Sequence, residues 1–286
     1  MLIDEHTKVL VQGITGTQGQ FHTKSMLDYG TNVVAGVTPG KGGQSVHDVP
    51  VFDTIKEACA DTGANASIIF VPARFVMDAV TESIASHLNP VVVITEHVPV
   101  HDSIKFITQA LEKDISIIGP NTPGMMAPQR CKLGIMPSHI FTQGSVGVAS
   151  RSGTLTYEIV ADLTRHRLGQ STVVGLGGDP VVGFNFIDAL KAFDAEKETE
   201  AIVLIGEIGG NAEELAAQYI KDHVNTPVVA YVAGKTAPKG KRMGHAGAVI
   251  SGKTGTVASK MEAFSEAGVP VADSPGDVSE LVKDLL

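Results

Sequence analysis

The stretch of this sequence best suited to chemistry is 231–254, YVAGKTAPKGKRMGHAGAVISGKT. A strand-like run ends at Ala233-Gly234, and an excursion rich in Gly, Lys and Pro leads to Gly244-His245-Ala246-Gly247. Small neighbours leave the imidazole of His245 uncovered, while Lys235, Lys239, Lys241 and Arg242 favour anions nearby. Neutral imidazole is a nucleophile near physiological pH, so a histidine in this setting can accept a phosphoryl group and return it. The other nine of the ten histidines, His22, His87, His166 and His223 among them, lack such a setting and read as surface or helix residues. Two further pieces suit a phosphorylated histidine. Ser150–Glu158 (SRSGTLTYE) follows a strand and opens a helix, so Ser152, Gly153 and Thr154 can present N–H groups and a positive dipole end to a phosphate. The same residues also fit an ordinary capped helix. Glu207, in IGEIGG at a strand's end, can accept a hydrogen bond from one imidazole nitrogen and leave the other as nucleophile. The run Gly247–Thr254 matches G-x-x-x-x-G-K-[ST], but Lys239–Gly244 before it cannot be the buried strand a P-loop requires, so it is rejected as a nucleotide site.

A second constellation lies near the N-terminus. Gln12–Gly19 (QGITGTQG) joins a strand to a helix with the spacing G-x-x-G-x-x-G, which lets backbone N–H groups approach a phosphate at the helix start. A dinucleotide site calls for an acidic residue about 20 positions on, at the end of the second strand. Here that strand runs into Thr38-Pro39-Gly40-Lys41-Gly42-Gly43, and the lysine favours an extra phosphate over a free ribose diol. Coenzyme A, with its 3′-phosphate, fits this change of charge; NADP fits it as well. Ile94-Thr95-Glu96-His97 ends a later strand, where open α/β sheets bind ligands.

These residues need elements to hold them, and the sequence supplies a regular alternation. Lys8–Gln12, Asn32–Val37, Ser67–Val71, Pro90–Thr95 and Ile115–Ile118 read as buried strands, separated by helical spacing over Gln18–Tyr29, Phe75–His87 and Asp102–Glu112. Gly119–Gly124 (GPNTPG) opens a turn-rich stretch with weak periodicity through Gly144, and a domain boundary is expected there, giving domains 1–121 and 122–286. Alternation then restarts, with strands at Val146–Ala149, Thr172–Leu176, Ala201–Ile205, Val228–Val232 and Val269–Ala272 and helices near 153–166, 185–194, 211–223, 255–267 and 276–285. The expected class is α/β, with two doubly wound domains.

Bulk composition removes several alternatives. With 286 residues, 43% hydrophobic and 19% charged, the chain can bury substantial cores. A net charge of −9 argues against nucleic acid as the main partner. No apolar run is long enough to span a membrane, and Met1–Glu5 has neither the basic start nor the apolar stretch of a secretory signal. Cys59 and Cys131 lie far apart and outside metal-ligand spacing, so no metal site is expected and a reducing compartment is. Cytoplasm is the expected location, or the mitochondrial matrix for a chain stripped of a transit peptide.

Taken together, GITGTQGQFH (13–22), VTPGKGG (37–43), GPNTPG (119–124), SRSGTLTYE (150–158), GGDPVVG (177–183), IGEIGG (205–210) and TAPKGKRMGHAG (236–247) resemble the α subunit of succinate–CoA ligase, in the family's order from about residue 3 to 285. The resemblance implies a Rossmann-like CoA-binding domain followed by a flavodoxin-like ligase domain. It implies CoA contacts at Thr15, Gly16, Thr17, Gln18, Lys41, Ile94, Thr95 and Glu96, a phosphorylated His245 with Glu207 as its carboxylate partner, and Tyr157 close to the acyl substrate. It further implies a β subunit with an ATP-grasp fold that holds ATP or GTP with Mg²⁺, assembled as αβ or α₂β₂. The reaction so implied is that of the tricarboxylic acid cycle: succinate, CoA and a nucleoside triphosphate give succinyl-CoA, the diphosphate and phosphate. Thr122 stands where many relatives have cysteine. Two alternatives stay open: a related nucleoside-diphosphate-forming ligase for malate or acetate, and a CoA- or NADP-binding module without catalysis.

Overall fold

The computed structural model describes residues 2–234 and 255–286. Packing divides them into two compact units, Leu2–Met136 with Val181–Gly183, and Pro137–Pro180 with Phe184–Leu286.

The first unit contains β1 (Val9–Gln12), α1 (Thr17–Tyr29), β2 (Val33–Val37), β3 (Ser45–Val46), β4 (Val49–Phe52), α2 (Ile55–Thr62), β5 (Ala66–Ile69), α3 (Val76–Ala85), β6 (Val91–Val93), α4 (Val100–Leu111) and β7 (Ile117–Ile118). Its sheet runs β3-β4-β2-β1-β5-β6-β7. Without β3, which pairs antiparallel with β4, all these pairs are parallel and the order is the 3-2-1-4-5-6 of a Rossmann sheet. Helices on both faces explain why β1, β5 and β6 are buried at every position and read as unbroken apolar runs. The polar residues in these strands, Gln12 and Ser67, are satisfied by each other and by α3. Gln12 Nε2 donates to Ser67 Oγ at 2.9 Å, Ser83 Oγ at 2.8 Å and the Ala79 carbonyl at 3.2 Å, fastening β1 to β5 and α3.

By packing, this unit runs on to Met136. The stretch read as turn-rich contains an antiparallel hairpin, β8 (Gly124–Ala127) and β9 (Cys131–Gly134), packed on α1. The Gln129 N–H donates to the Tyr29 hydroxyl at 2.8 Å, Thr31 Oγ1 exchanges hydrogen bonds with the Lys132 backbone, and Lys132 Nζ donates to Ser25 Oγ at 2.7 Å. The hairpin lacks β-branched residues, and its glycines are required by close approach. A Cβ on Gly124 would lie 2.3 Å from the Leu133 carbonyl oxygen, and one on Gly134 2.3 Å from that of Pro123.

The second unit contains β10 (Gln143–Ser150), α5 (Gly153–Arg165), β11 (Gln170–Gly175), α6 (Phe186–Asp194), β12 (Ala201–Glu207), α7 (Ala212–His223), β13 (Val228–Ala233), α8 (Val257–Glu266), β14 (Val271–Ala272) and α9 (Val278–Leu285). These strands run β14-β13-β12-β10-β11, all parallel. Numbered within the unit, that is 2-1-3-4-5, the flavodoxin-like order, with the reversal between β10 and β12. Both expected folds are present.

The hairpin generates a chemical prediction. Burial first, and the Asp4 charge second, push the Cys131 thiol up to about 12, while Cys59 is raised by burial and then by Glu82. The thiolate is the reactive form, so Cys131 should stay unmodified by an aromatic disulfide reagent at pH 8 until the protein is unfolded. Complete modification of Cys131 in the native protein would show that the hairpin opens from α1.

Candidate functional site

In the first unit the sheet order reverses at β1, between β2 and β5, and the crevice outside these strand ends is where doubly wound sheets take ligands. Three features shape the turn after β1. Gly13 adopts φ +75° and donates its N–H to the Val37 carbonyl at 2.8 Å. The Gly16 N–H returns to the Gly13 carbonyl at 3.0 Å. A Cβ on Gly19 would lie 2.2 Å from that same carbonyl oxygen, so only glycine lets the first turn of α1 sit against the loop. Gly16 caps α1 without a side-chain acceptor, and no acidic residue occupies the first turn. The N-terminal N–H groups and the positive dipole end are thus left for an anion.

A cleft of about 530 Å³ opens at this reversal, lined by Gly13, Thr15, Thr38, Phe70, Phe75 and Glu82 among others. Thr15 Oγ1 donates to Thr38 Oγ1 at 3.2 Å, and Gln20 Nε2 to the Thr15 carbonyl at 2.8 Å, so the loops after β1 and β2 are tied together. Thr15 and Gly16 line the cleft; Thr17 and Gln18 are exposed on the first turn of α1. Lys41 is exposed on its glycine turn, which closes through the Gly42 N–H to Asp53 Oδ1 at 2.9 Å. Ile94, Thr95 and Glu96 follow β6 and line none of the cleft. Thr95 Oγ1 donates to the carbonyl of Val71, a cleft residue, at 2.7 Å.

The second unit gathers its polar groups at the corresponding place, the C-terminal ends of β10 and β12. Ser152 is the N-cap of α5, with Oγ accepting from the Leu155 N–H at 3.4 Å, and Ser150 Oγ exchanges hydrogen bonds with the Ser152 backbone at 2.9 and 3.1 Å. No acidic residue stands in the first turn of α5. Gly153 is half-buried and Thr154 exposed, while Tyr157, one turn further on, is half-buried with its phenol raised by burial.

Glu207 ends β12 and is 7% exposed. It belongs to a charge network. Arg151 Nη2 lies 3.6 Å from Glu207 Oε1, and Arg151 Nη1 donates to Glu213 Oε1 at 2.8 Å and to the Gly209 carbonyl at 3.2 Å. Glu213 Oε1 also accepts the Glu207 N–H at 3.1 Å. Lys260 Nζ, on α8, bonds Glu213 Oε2, Glu214 Oε2 at 2.9 Å and the Gly210 carbonyl at 3.1 Å. Glu213 and Lys260 are both fully enclosed. Sequence reasoning singled out Glu207 but not Arg151, Glu213 or Lys260 as its supports. A usable signal was present: Lys260 precedes Phe264 by four residues on the buried face of α8. Gly206 has a matching reason, since a Cβ there would lie 2.6 Å from Glu213 Cγ.

His245, Lys235, Lys239, Lys241, Arg242 and the rejected P-loop-like run 247–254 lie outside the described residues. The residues on either side are described. Gly234, at φ +104°, packs so closely on Ile208 that a Cβ would lie 2.6 Å from its Cγ2. The Gly209 N–H donates to the Gly255 carbonyl at 2.8 Å, and a Cβ on Gly255 would lie 2.9 Å from the Gly210 carbonyl oxygen. Both flanks of 235–254 therefore meet the turn that follows Glu207.

Comparison with known proteins places this architecture. The family described as CoA binding domain matches residues 4–97, and the family described as CoA-ligase matches residues 149–270. The chain is 56% identical over 283 residues to the succinate–CoA ligase [ADP-forming] subunit alpha of Methanothermobacter thermautotrophicus, covering 99% of this chain and 96% of that protein. It is 55% identical over 286 residues to subunit alpha 2 of the same enzyme from Archaeoglobus fulgidus, covering 100% and 99%. It is 54% identical over 284 residues to the Staphylococcus epidermidis subunit alpha, covering 99% and 94%. Among solved structures, ATP citrate lyase from Methanothrix soehngenii in complex with citrate and coenzyme A superposes with a TM-score of 0.91 at 27% identity, over all of this chain and half of that one.

The network predicts its own fragility. Lys260→Met keeps the volume but leaves the enclosed Glu213 carboxylate without one of its two cations. The expected loss is about 3 kcal/mol, read as a lower urea midpoint. An unchanged midpoint would mean that Arg151 alone neutralises the site.

Proposed function

The chain belongs to the family of ADP-forming succinate–CoA ligase α subunits, and from that premise we propose that His245 carries the phosphoryl group between nucleotide and succinate. The family's reaction is reversible: succinate, CoA and a nucleoside triphosphate give succinyl-CoA, the nucleoside diphosphate and phosphate. An α subunit works with a β subunit, and on this reading that partner supplies the ATP-grasp site for ATP or GTP with Mg²⁺, as αβ or α₂β₂. Cytoplasm is the compartment this reading assigns; among the described residues no helix is long and apolar enough to cross a membrane.

The observation that carries the reading is the placement of Gly234 and Gly255, the residues flanking the histidine segment, on the 208–210 turn next to Glu207. Glu207 accepts the N–H of one imidazole nitrogen, so the other is left with its lone pair toward phosphorus. That nitrogen attacks the γ-phosphorus, the bond to the diphosphate breaks, and the phosphoryl remains on His245. Its oxygens are met by the start of α5 at Ser152, Gly153 and Thr154, whose first turn carries no acidic residue. A succinate carboxylate, bound near Tyr157, takes the phosphoryl to give succinyl phosphate. The CoA thiolate then attacks the acyl carbon and phosphate leaves.

CoA is held in the first unit. The turn at Thr15 and Gly16 and the start of α1 at Thr17 and Gln18 take phosphate oxygens, Lys41 adds charge, and Ile94, Thr95 and Glu96, which stand outside the cleft, meet the part of CoA that extends beyond it. The apolar cleft beside Thr15, lined by Phe70 and Phe75, has the volume for a flat base.

Two experiments test this reading. The complex of this chain with its β subunit, incubated with γ-labelled ATP, should acquire acid-labile, alkali-stable label that succinate plus CoA discharge and malate plus CoA do not. Label retained in the His245→Asn protein would move the carrier elsewhere, and faster discharge by malate would change the acid. Separately, Gly19→Ala sets a methyl group against the Gly13 carbonyl and should weaken CoA binding at least about tenfold by calorimetry, a loss near 1.4 kcal/mol. Unchanged affinity would show that the turn does not touch CoA.

A further inference from the structure

A second cleft, of about 410 Å³, adjoins Thr15 and is polar where the first is apolar. Lys41, Gln20, Gln44 and His47 line it with Thr15 and Ser45. His47 is held there by an unusual backbone. With Asp48 it forms the two-residue turn between β3 and β4, where Val46 pairs with Val49, and the two adopt φ +51° and +66°. Two positive φ values mark a type I′ hairpin turn, whose sterically easy residues are Asn and Gly. The turn carries the His47 ring to the cleft, where it meets the start of α1.

The ring is also fixed. His47 Nε2 lies 3.1 Å from the Gln20 carbonyl oxygen, an acceptor only, so Nε2 carries the hydrogen and Nδ1 is left for a ligand. Gln20 in turn anchors the glycine loop through its amide to the Thr15 carbonyl at 2.8 Å. The imidazole is thus attached to the start of α1, and Lys41 lines the same cleft. Of the neighbouring carboxylates, Asp53 closes the Lys41 turn by accepting the Gly42 N–H, and Asp48 lines no part of this cleft.

Thr15 stands between an apolar lobe sized for a flat ring and a polar lobe carrying an ammonium and an imidazole. That combination suits a nucleoside whose sugar bears a phosphate monoester. We propose that His47, with Lys41, recognises the 3′-phosphate of CoA and sets the preference of this chain for CoA over 3′-dephospho-CoA. The inference rests on the CoA reading above. A phosphate monoester near neutral pH holds one proton or none, so it and Nδ1 can share a proton in either arrangement, imidazolium to dianion or acid phosphate to neutral imidazole.

The test uses the αβ complex in succinyl-CoA formation, with KM measured for CoA and for 3′-dephospho-CoA. His47→Asn removes the ring and keeps a residue that favours the turn, so the hairpin survives. It should raise the KM for CoA about fivefold to tenfold, the effect of one charge-assisted hydrogen bond, and move that for 3′-dephospho-CoA less than twofold. Lys41→Ala should show the same selectivity. If His47→Asn moves both KM values alike, or neither, the assignment of His47 falls while the CoA reading stands. If the wild-type complex uses neither thiol, the CoA reading falls, and this inference with it.

Discussion

Glu213 is a carboxylate with no access to water, and the second unit is arranged around meeting its charge. Desolvating a carboxylate costs several kcal/mol, which is recovered only when cations and N–H donors reach both oxygens. Arg151 and the Glu207 N–H take one oxygen and Lys260 takes the other. Those three groups come from the β10–α5 loop, the end of β12 and helix α8. A single buried ion therefore fixes the start of α5, the backbone of Glu207 and the helix that follows the histidine segment. Removal of any one partner disturbs the other two, so the geometry of the site is coupled to stability.

Both units place their chemistry by the same topological constraint. A parallel sheet covered on both faces keeps side chains along its strands away from water, and β5, β6, β11 and β12 are buried at every position. Polar side chains can reach open space only past the strand ends. They gather where neighbouring connections leave on opposite faces, between β1 and β5 in one unit and between β10 and β12 in the other. The glycine loop follows β1, Arg151 and Ser152 follow β10, and Glu207 closes β12. The two sites are thus products of strand order before they are products of particular side chains.

This explains what could be read from the sequence. Buried parallel strands appear as β-branched runs, so ten of them were legible, as were the longer helices and the acidic residue at the end of β12. Short elements with other reasons for existing were not. The GMMA and CKLG strands hold glycines that sterics demand and no β-branched residues, so they read as turn. Helix α2, of eight residues, depends on the Thr54 cap and on Glu82, whose Oε1 accepts the Ile55 N–H at 2.7 Å from another helix. Lys260 and Glu213 are 47 positions apart, and nothing local announces their pairing. His47 was illegible for a different reason, since its meaning comes from the sign of φ at a turn that only the β3–β4 register defines.

The charge count around Glu207 bears on the chemistry in a way that sequence motifs do not. A phosphorylated histidine brings about two negative charges, and three carboxylates, Glu207, Glu213 and Glu214, stand in one network. Uncompensated, they would repel the phosphoryl group. Among the described residues, Arg151 and Lys260 bring two positive charges to these three carboxylates. On the proposed reading Glu207 serves as the acceptor that holds the imidazole tautomer and steadies the positive charge formed when the other nitrogen is phosphorylated. On the same reading the phosphoryl oxygens are received at the start of α5, where the first turn carries no acid. On this view the enclosed ion pairs make it possible to set a carboxylate beside a phosphohistidine without opposing its formation, and they do so by cancelling charge that would otherwise reach the phosphate.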